Sequence, residues 1–170
     1  EGMKELTKGF EKSQVAGISF GGQMHGLVAL DKDDNVIRPA ILWNDGRTGE
    51  ETDYLNQVIG KDKLSEYTAN IAFAGFTAPK ILWMKKNEPE TYAKTKYFST
   101  VGSFIQYAFG ADEFTVEISD GTVSGLIDVN TLDLSQEIIE ALDFDPAKFP
   151  KLCKACDVVG TIKEDVAEKT

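Results

Sequence analysis

Val15-Ala16-Gly17-Ile18-Ser19-Phe20-Gly21-Gly22-Gln23-Met24-His25-Gly26 passes from an apolar run into two glycines, and then into amide, thioether and imidazole side chains. Apolar residues on both faces of Val15 to Phe20 read as a central strand of an α/β sheet, and such strands deliver functional groups at their carboxyl ends. The arrangement returns downstream. Ala40 to Trp43 reads as another short buried strand, which releases Asn44, Asp45, a glycine turn at Gly46 and Arg47 within a few positions.

Between these two stretches, Leu27 to Leu30 and Val36-Ile37 flank Asp31-Lys32-Asp33-Asp34-Asn35, which reads as a hairpin because short polar side chains bond their own backbone in turns. Pro39 cannot donate to a ladder and belongs at a strand end or edge. Glu1 to Ser13 reads as the tail of a helix with Leu6 and Phe10 on one face.

The remaining pattern is mostly helical. Arg47 to Ile59 carries Leu55, Val58 and Ile59 at helical spacing, with Glu50, Glu51 and Asp53 early, where carboxylates complement the helix dipole. Gly60 suits the position after a helix, and a second short helix spans about Lys61 to Tyr67. Thr77 reads as the N-cap of a helix that runs to Asn87 with Pro79 in its first turn. Tyr97-Phe98-Ser99 reads as a brief strand, followed by a helix capped by Ser99 or Thr100 and stopped by Gly110. Phe114 to Val116 and Leu126 to Val129 read as extended pieces around a turn at Ser119 to Gly125. Ser135 starts a last helix, and Val158-Val159-Gly160 reads as an edge strand. Strands mixed with helices make the class α/β.

The 170 residues are 42% hydrophobic and 27% charged, enough to bury one core, so a single domain is expected. A formal net charge of -10 argues against a nucleic-acid partner, which normally meets a basic face. No run of about 18 apolar residues suggests a membrane span, and the polar start Glu1-Gly2-Met3-Lys4-Glu5-Leu6 does not read as a secretory leader. A cytoplasmic location is expected. Cys153 and Cys156 form a lone Cys-x-x-Cys. Structural zinc needs two more ligands and a thioredoxin-like pair needs a preceding strand, so two reduced thiols are expected.

Gln23-Met24-His25-Gly26, the acidic turn, and Arg38-Pro39-Ala40-Ile41-Leu42-Trp43-Asn44-Asp45-Gly46-Arg47 together resemble the amino-terminal domain of the FGGY carbohydrate kinases, and within them the xylulokinase branch. Gly75-Phe76-Thr77-Ala78-Pro79-Lys80-Ile81-Leu82-Trp83 and Asn87-Glu88-Pro89-Glu90 continue the likeness. The resemblance implies an incomplete RNase H-like (actin-like ATPase) domain. On that reading, residues 1–170 are part of the N-terminal domain, with its first strands and the C-terminal domain outside the chain. It implies phosphorylation of D-xylulose by ATP and Mg2+ in a complete enzyme, a small-molecule sugar as partner, and compatibility with a homodimer.

The same resemblance assigns residues. Met24 and His25 match positions that hold the ketose. A core histidine is the bland alternative for His25, but the glycine-flanked strand end favours ligand contact. Gln23 serves either substrate or a strand-end hydrogen bond. Asn44 and Asp45 belong to the same mouth, although Asp45 with Arg47 reads equally as an ion pair that fixes the loop. Trp43 and Trp83 read as core aromatics. No catalytic residue is expected here, because the general-base aspartate of the resembled kinases falls after Thr170 and their phosphate-binding Asp-x-Gly-Thr falls before Glu1. Asp120, in Ile118-Ser119-Asp120-Gly121-Thr122, reads as structural, and no Gly-x-x-x-x-Gly-Lys-Ser/Thr loop occurs. Nucleotide-binding positions are not assigned and no metal site is expected. A fragment inactive alone is the first reading; a non-catalytic sugar-binding or scaffold domain of the same fold, or a kinase for another sugar, is the second.

Overall fold

The computed structural model describes residues 1–170. Six short strands make three two-stranded sheets. β1 (Val28–Leu30) lies antiparallel to β2 (Tyr97–Ser99), β3 (Thr115–Glu117) parallel to β6 (Lys151–Cys153), and β4 (Ile127–Asp128) antiparallel to β5 (Asp133–Leu134). The helices are α1 (Gly2–Leu6), α2 (Gly49–Leu55), α3 (Lys61–Thr68), α4 (Thr77–Asn87), α5 (Pro89–Lys94), α6 (Val101–Phe109), α7 (Ile118–Thr122), α8 (Gln136–Ala141) and α9 (Glu164–Lys169).

One cluster of 16 buried apolar residues joins the hairpin, α2 to α4, β2, Leu126 just before β4, and α8. Leu27, Ile81, Met84 and Ile138 are fully enclosed in it. The hairpin forms as its turn chemistry requires. Asp31 Oδ1 accepts from the backbone N–H groups of Asp33 and Asn35, and Leu30 bridges Val36. Arg38 then grips Glu88 through Nε at 2.8 Å and Nη2 at 3.2 Å, which ties the strand end to the start of α5. That two-pronged geometry suits a guanidinium facing a carboxylate.

Several local expectations hold. Thr100 and Ser135 accept from the third residue of α6 and of α8 respectively. Gly60 takes φ +90, and Gly110 takes φ +149 where α6 stops.

Others are corrected. Val15 to Phe20 forms no strand: nothing in the chain lies alongside it to pair its backbone, and Val15 and Ile18 stay exposed. Ala40 to Trp43 contributes only Ile41, which exchanges two backbone bonds with Leu27. Trp43 is 54% exposed rather than a core aromatic. Trp83 is half-buried and packs at the core edge, where the Arg47 guanidinium lies 4.7 Å from its ring centroid. Leu6 and Phe10 are exposed, because α1 ends at Leu6 and packs no apolar face.

The helix expected over Arg47 to Ile59 begins at Gly49 and widens into a π turn at Asn56–Gly60. There the Asn56 amide exchanges hydrogen bonds with both backbone groups of Ala72. Glu51 is buried and pairs with Lys86 rather than standing free at the helix start. Thr77 is the first helical residue of α4, not its cap, since its hydroxyl donates to the His25 carbonyl. Ser119 to Gly125 is largely the helix α7, capped by the Glu117 carboxylate. Val158 to Gly160 makes a single bridge, Gly160 to Ala111, and Val158 is exposed. α5 carries no apolar face that periodicity would reveal, and it follows from Pro89 at its first position. Cys153 and Cys156 are both free thiols.

Candidate functional site

The site is built where the chain enters β1. Gly26 is buried beneath α6, and a Cβ on it would stand 2.8 Å from Val101 Cγ2. A side chain fits there only if Val101 gives way. Gly26→Ala therefore forces Val101 or the loop aside and is expected to cost about 1–3 kcal/mol, read as a lowered urea-unfolding midpoint.

His25, one residue earlier, takes φ +66, a left-handed conformation uncommon outside glycine. Three contacts hold it. Its Nδ1 lies 2.8 Å from the Val123 carbonyl, its ring stacks on Phe76 at 4.7 Å between centroids and 15° between planes, and its own carbonyl accepts from Thr77 Oγ1 and Lys80 Nζ. A carbonyl can only accept, so Nδ1 carries the proton. Its Nε2 has no partner within the chain.

Asp45 and Arg47 close the opposite lip. Arg47 donates to Asp45 from Nε at 2.9 Å, from Nη2 at 2.7 Å and from its backbone N–H at 3.0 Å. These bonds hold the Asp45 carboxyl below the usual carboxylate range, with the Arg47 side chain the largest cause. Gly75 packs against the same lip, where an added Cβ would lie 2.9 Å from the Trp43 carbonyl oxygen.

Lys80 joins the two lips from below. It is fully buried in α4, and its Nζ donates to the His25 carbonyl at 2.7 Å and the Gly75 carbonyl at 2.5 Å. Burial pulls its ammonium down to about 8, while the Asp45 carboxylate pulls it back up.

A cavity of about 980 Å³ opens beside the first lip. Val15 to Phe20, Gln23, Met24, Ser103 and Asp120 are among the residues that line it. Burial pushes the Asp120 carboxyl up, opposed by the Thr100 hydroxyl. Gln23 and Met24 are exposed to this space. His25 is half-buried and Asn44 exposed, and neither lines this space. Of the residues expected at the site, Gln23 and Met24 line this cavity, whereas His25, Asn44 and Asp45 do not; Lys80 bonds the His25 and Gly75 carbonyls and feels the Asp45 charge.

The sequence reading gave no site role to Lys80, Phe76 or the Val123 carbonyl. A signal existed for Lys80, since a lone cation inside Ala78-Pro79-Lys80-Ile81-Leu82 is enclosed by its neighbours. The Val123 carbonyl carried none, as backbone acceptors are invisible in a sequence. No group of three or more His, Cys, Asp or Glu side chains stands at metal-holding spacing.

The chain matches the FGGY family of carbohydrate kinases, N-terminal domain, over residues 2–170. A curated xylulose kinase from Lactococcus lactis is 39% identical over 156 residues, which cover 92% of this chain and 31% of the relative. The xylulose kinase of Bacillus subtilis is 36% identical over 172 residues, covering 100% of this chain and 34% of the relative. The chain thus spans about a third of the length of the curated relatives it matches. Among solved structures, a xyloylose kinase from Brucella ovis superposes with a TM-score of 0.89 at 28% identity, over 98% of this chain and 34% of that one. A gluconate kinase from Lactobacillus acidophilus reaches 0.89 at 21% identity over 97% of this chain and 33% of that one, a likeness of fold alone. The match over residues 2–170, together with the fold shared with solved sugar kinases, places this chain in the FGGY family of carbohydrate kinases, whose N-terminal domain it matches along nearly its whole length.

Proposed function

We propose that residues 1–170 are part of the N-terminal domain of a kinase that transfers the γ-phosphoryl group of ATP to D-xylulose, giving D-xylulose 5-phosphate. The observation that carries this reading is the held imidazole of His25: Nδ1 is engaged by the Val123 carbonyl and Nε2 has no partner in the chain, leaving it to meet a sugar hydroxyl. A sugar presents several hydroxyl donors and an otherwise uncharged body, which neutral acceptors suit. The curated relatives named above are xylulose kinases, and this favours the ketose over other polyols.

On this reading His25 receives a sugar hydroxyl, Met24 forms an adaptable apolar wall, and Gln23 and Asn44 supply exposed amides. Asp45 has its oxygens engaged by Arg47, so it shapes the lip. ATP and Mg2+ supply the transferred group and its charge neutralisation in the complete enzyme, with the general base outside this chain. The site residues here bind and orient. The enzyme works in the cytoplasm.

ADP release with ATP, Mg2+ and D-xylulose tests the proposal, run on this chain and on a form extended at both ends. Activity in the extended form alone is the expected result. An extended form silent with D-xylulose but active with glycerol, gluconate or ribulose would replace the substrate, and one silent with every sugar while still binding D-xylulose would leave a sugar-binding domain.

A further inference from the structure

Lys80 is the one fully buried cation of the core, and its partners are main-chain carbonyls rather than a carboxylate. A buried ammonium is expensive unless its hydrogen bonds fix something that an apolar side chain cannot. Here one nitrogen reaches the carbonyl of the left-handed His25 and the carbonyl of Gly75 in a separate loop. Gly75 in turn presses on the backbone of Trp43, which leads into the Asp45–Arg47 lip. The hydroxyl of Thr77, one turn earlier in α4, adds a weaker bond to the same His25 carbonyl at 3.3 Å.

We infer that Lys80 is a positioning residue for sugar binding: by clamping the His25 and Gly75 carbonyls onto α4, it holds the turn that presents the His25 ring to the ligand. The inference rests on the reading of His25 as a sugar contact. Lys80 itself lies beneath the loop and touches no reacting atom. The charged groups that face this region are Asp45, already engaged by Arg47, and, across the His25 ring, Asp120 and Glu117. Only Lys80 bonds the turn's carbonyl with a charge. As an ammonium it has three protons to place and as a neutral amine two, so the clamp weakens as pH rises through about 8.

The sequence has one histidine, so selective ¹⁵N-histidine labelling gives a single backbone amide signal that reports this turn. The His25 signal is expected to shift between pH 7 and 10 with a midpoint near 8, and Lys80→Met is expected to displace it and abolish that inflection. In the kinase that carries this chain, Lys80→Met is expected to raise the Michaelis constant for D-xylulose about tenfold with little change in kcat, the size of a lost charge-assisted hydrogen bond. Should the variant not fold, the titration of the unsubstituted chain decides. A His25 signal flat from pH 7 to 10, or unmoved by Lys80→Met, overturns the clamp. If the signal responds as expected but His25→Ala leaves sugar affinity unchanged, the clamp stands and the sugar contact falls.

Discussion

Replacing His25 with alanine in the kinase that carries this chain raises the Michaelis constant for D-xylulose by about 10- to 100-fold and leaves nucleotide affinity unchanged. The magnitude follows from what the ring does. Its Nδ1–H is spent on the Val123 carbonyl and its face on Phe76, so the imidazole is held rigid before any ligand arrives. A rigid acceptor loses little entropy on binding, and its removal takes away the hydrogen bond together with the order that made it cheap. The same change strips Val123 of its imidazole donor. Steady-state kinetics with sugar and ATP varied separately checks this. An unchanged Michaelis constant for the sugar removes His25 from the site and, with it, the principal support for the proposed function.

The second large effect is one of stability. Leu27→Ala is expected to cost about 2–5 kcal/mol, a large part of the roughly 5–15 kcal/mol that holds a domain folded. Leu27 is fully enclosed in the main core, and its backbone exchanges both hydrogen bonds with Ile41, at 2.9 and 3.1 Å. Truncation empties space at the point where the two lips of the site are stitched together, and the paired backbone has little freedom to collapse into the gap. Thermal unfolding should fall by about 10 °C for a chain of this size. Val58→Ala provides the contrast, because that side chain is 52% exposed and its loss should stay within about 0.5 kcal/mol. Equal effects at the two positions would contradict the assignment of the core.

Local chemistry explains which parts of this fold were legible in advance. The Asp31 to Asn35 turn, the caps at Thr100 and Ser135, the stop at Gly110 and the extent of α4 each depend on bonds made within a few residues. Such bonds accompany their residues wherever the segment goes. The candidate site was legible for a related reason: Gly26, His25, Asp45 and Arg47 are special residue types in a short span, and the Asp45–Arg47 pair closes over two positions. The strand reading of Val15 to Phe20 failed for the converse reason. Its apolar content is genuine, but a strand exists only against a partner, and none lies beside it here.

The sequence by itself therefore determined the α/β class, most helices, the hairpin and the residue types at the mouth, because propensity, capping and turn bonds are short-range. Only the tertiary structure decided that Thr77 serves His25 rather than its own helix, that Trp43 faces solvent, and that one buried lysine reaches the His25 and Gly75 carbonyls together. Each of those facts depends on a carbonyl or a side chain brought from tens of residues away, and hydrogen-bond geometry at that separation is set by packing.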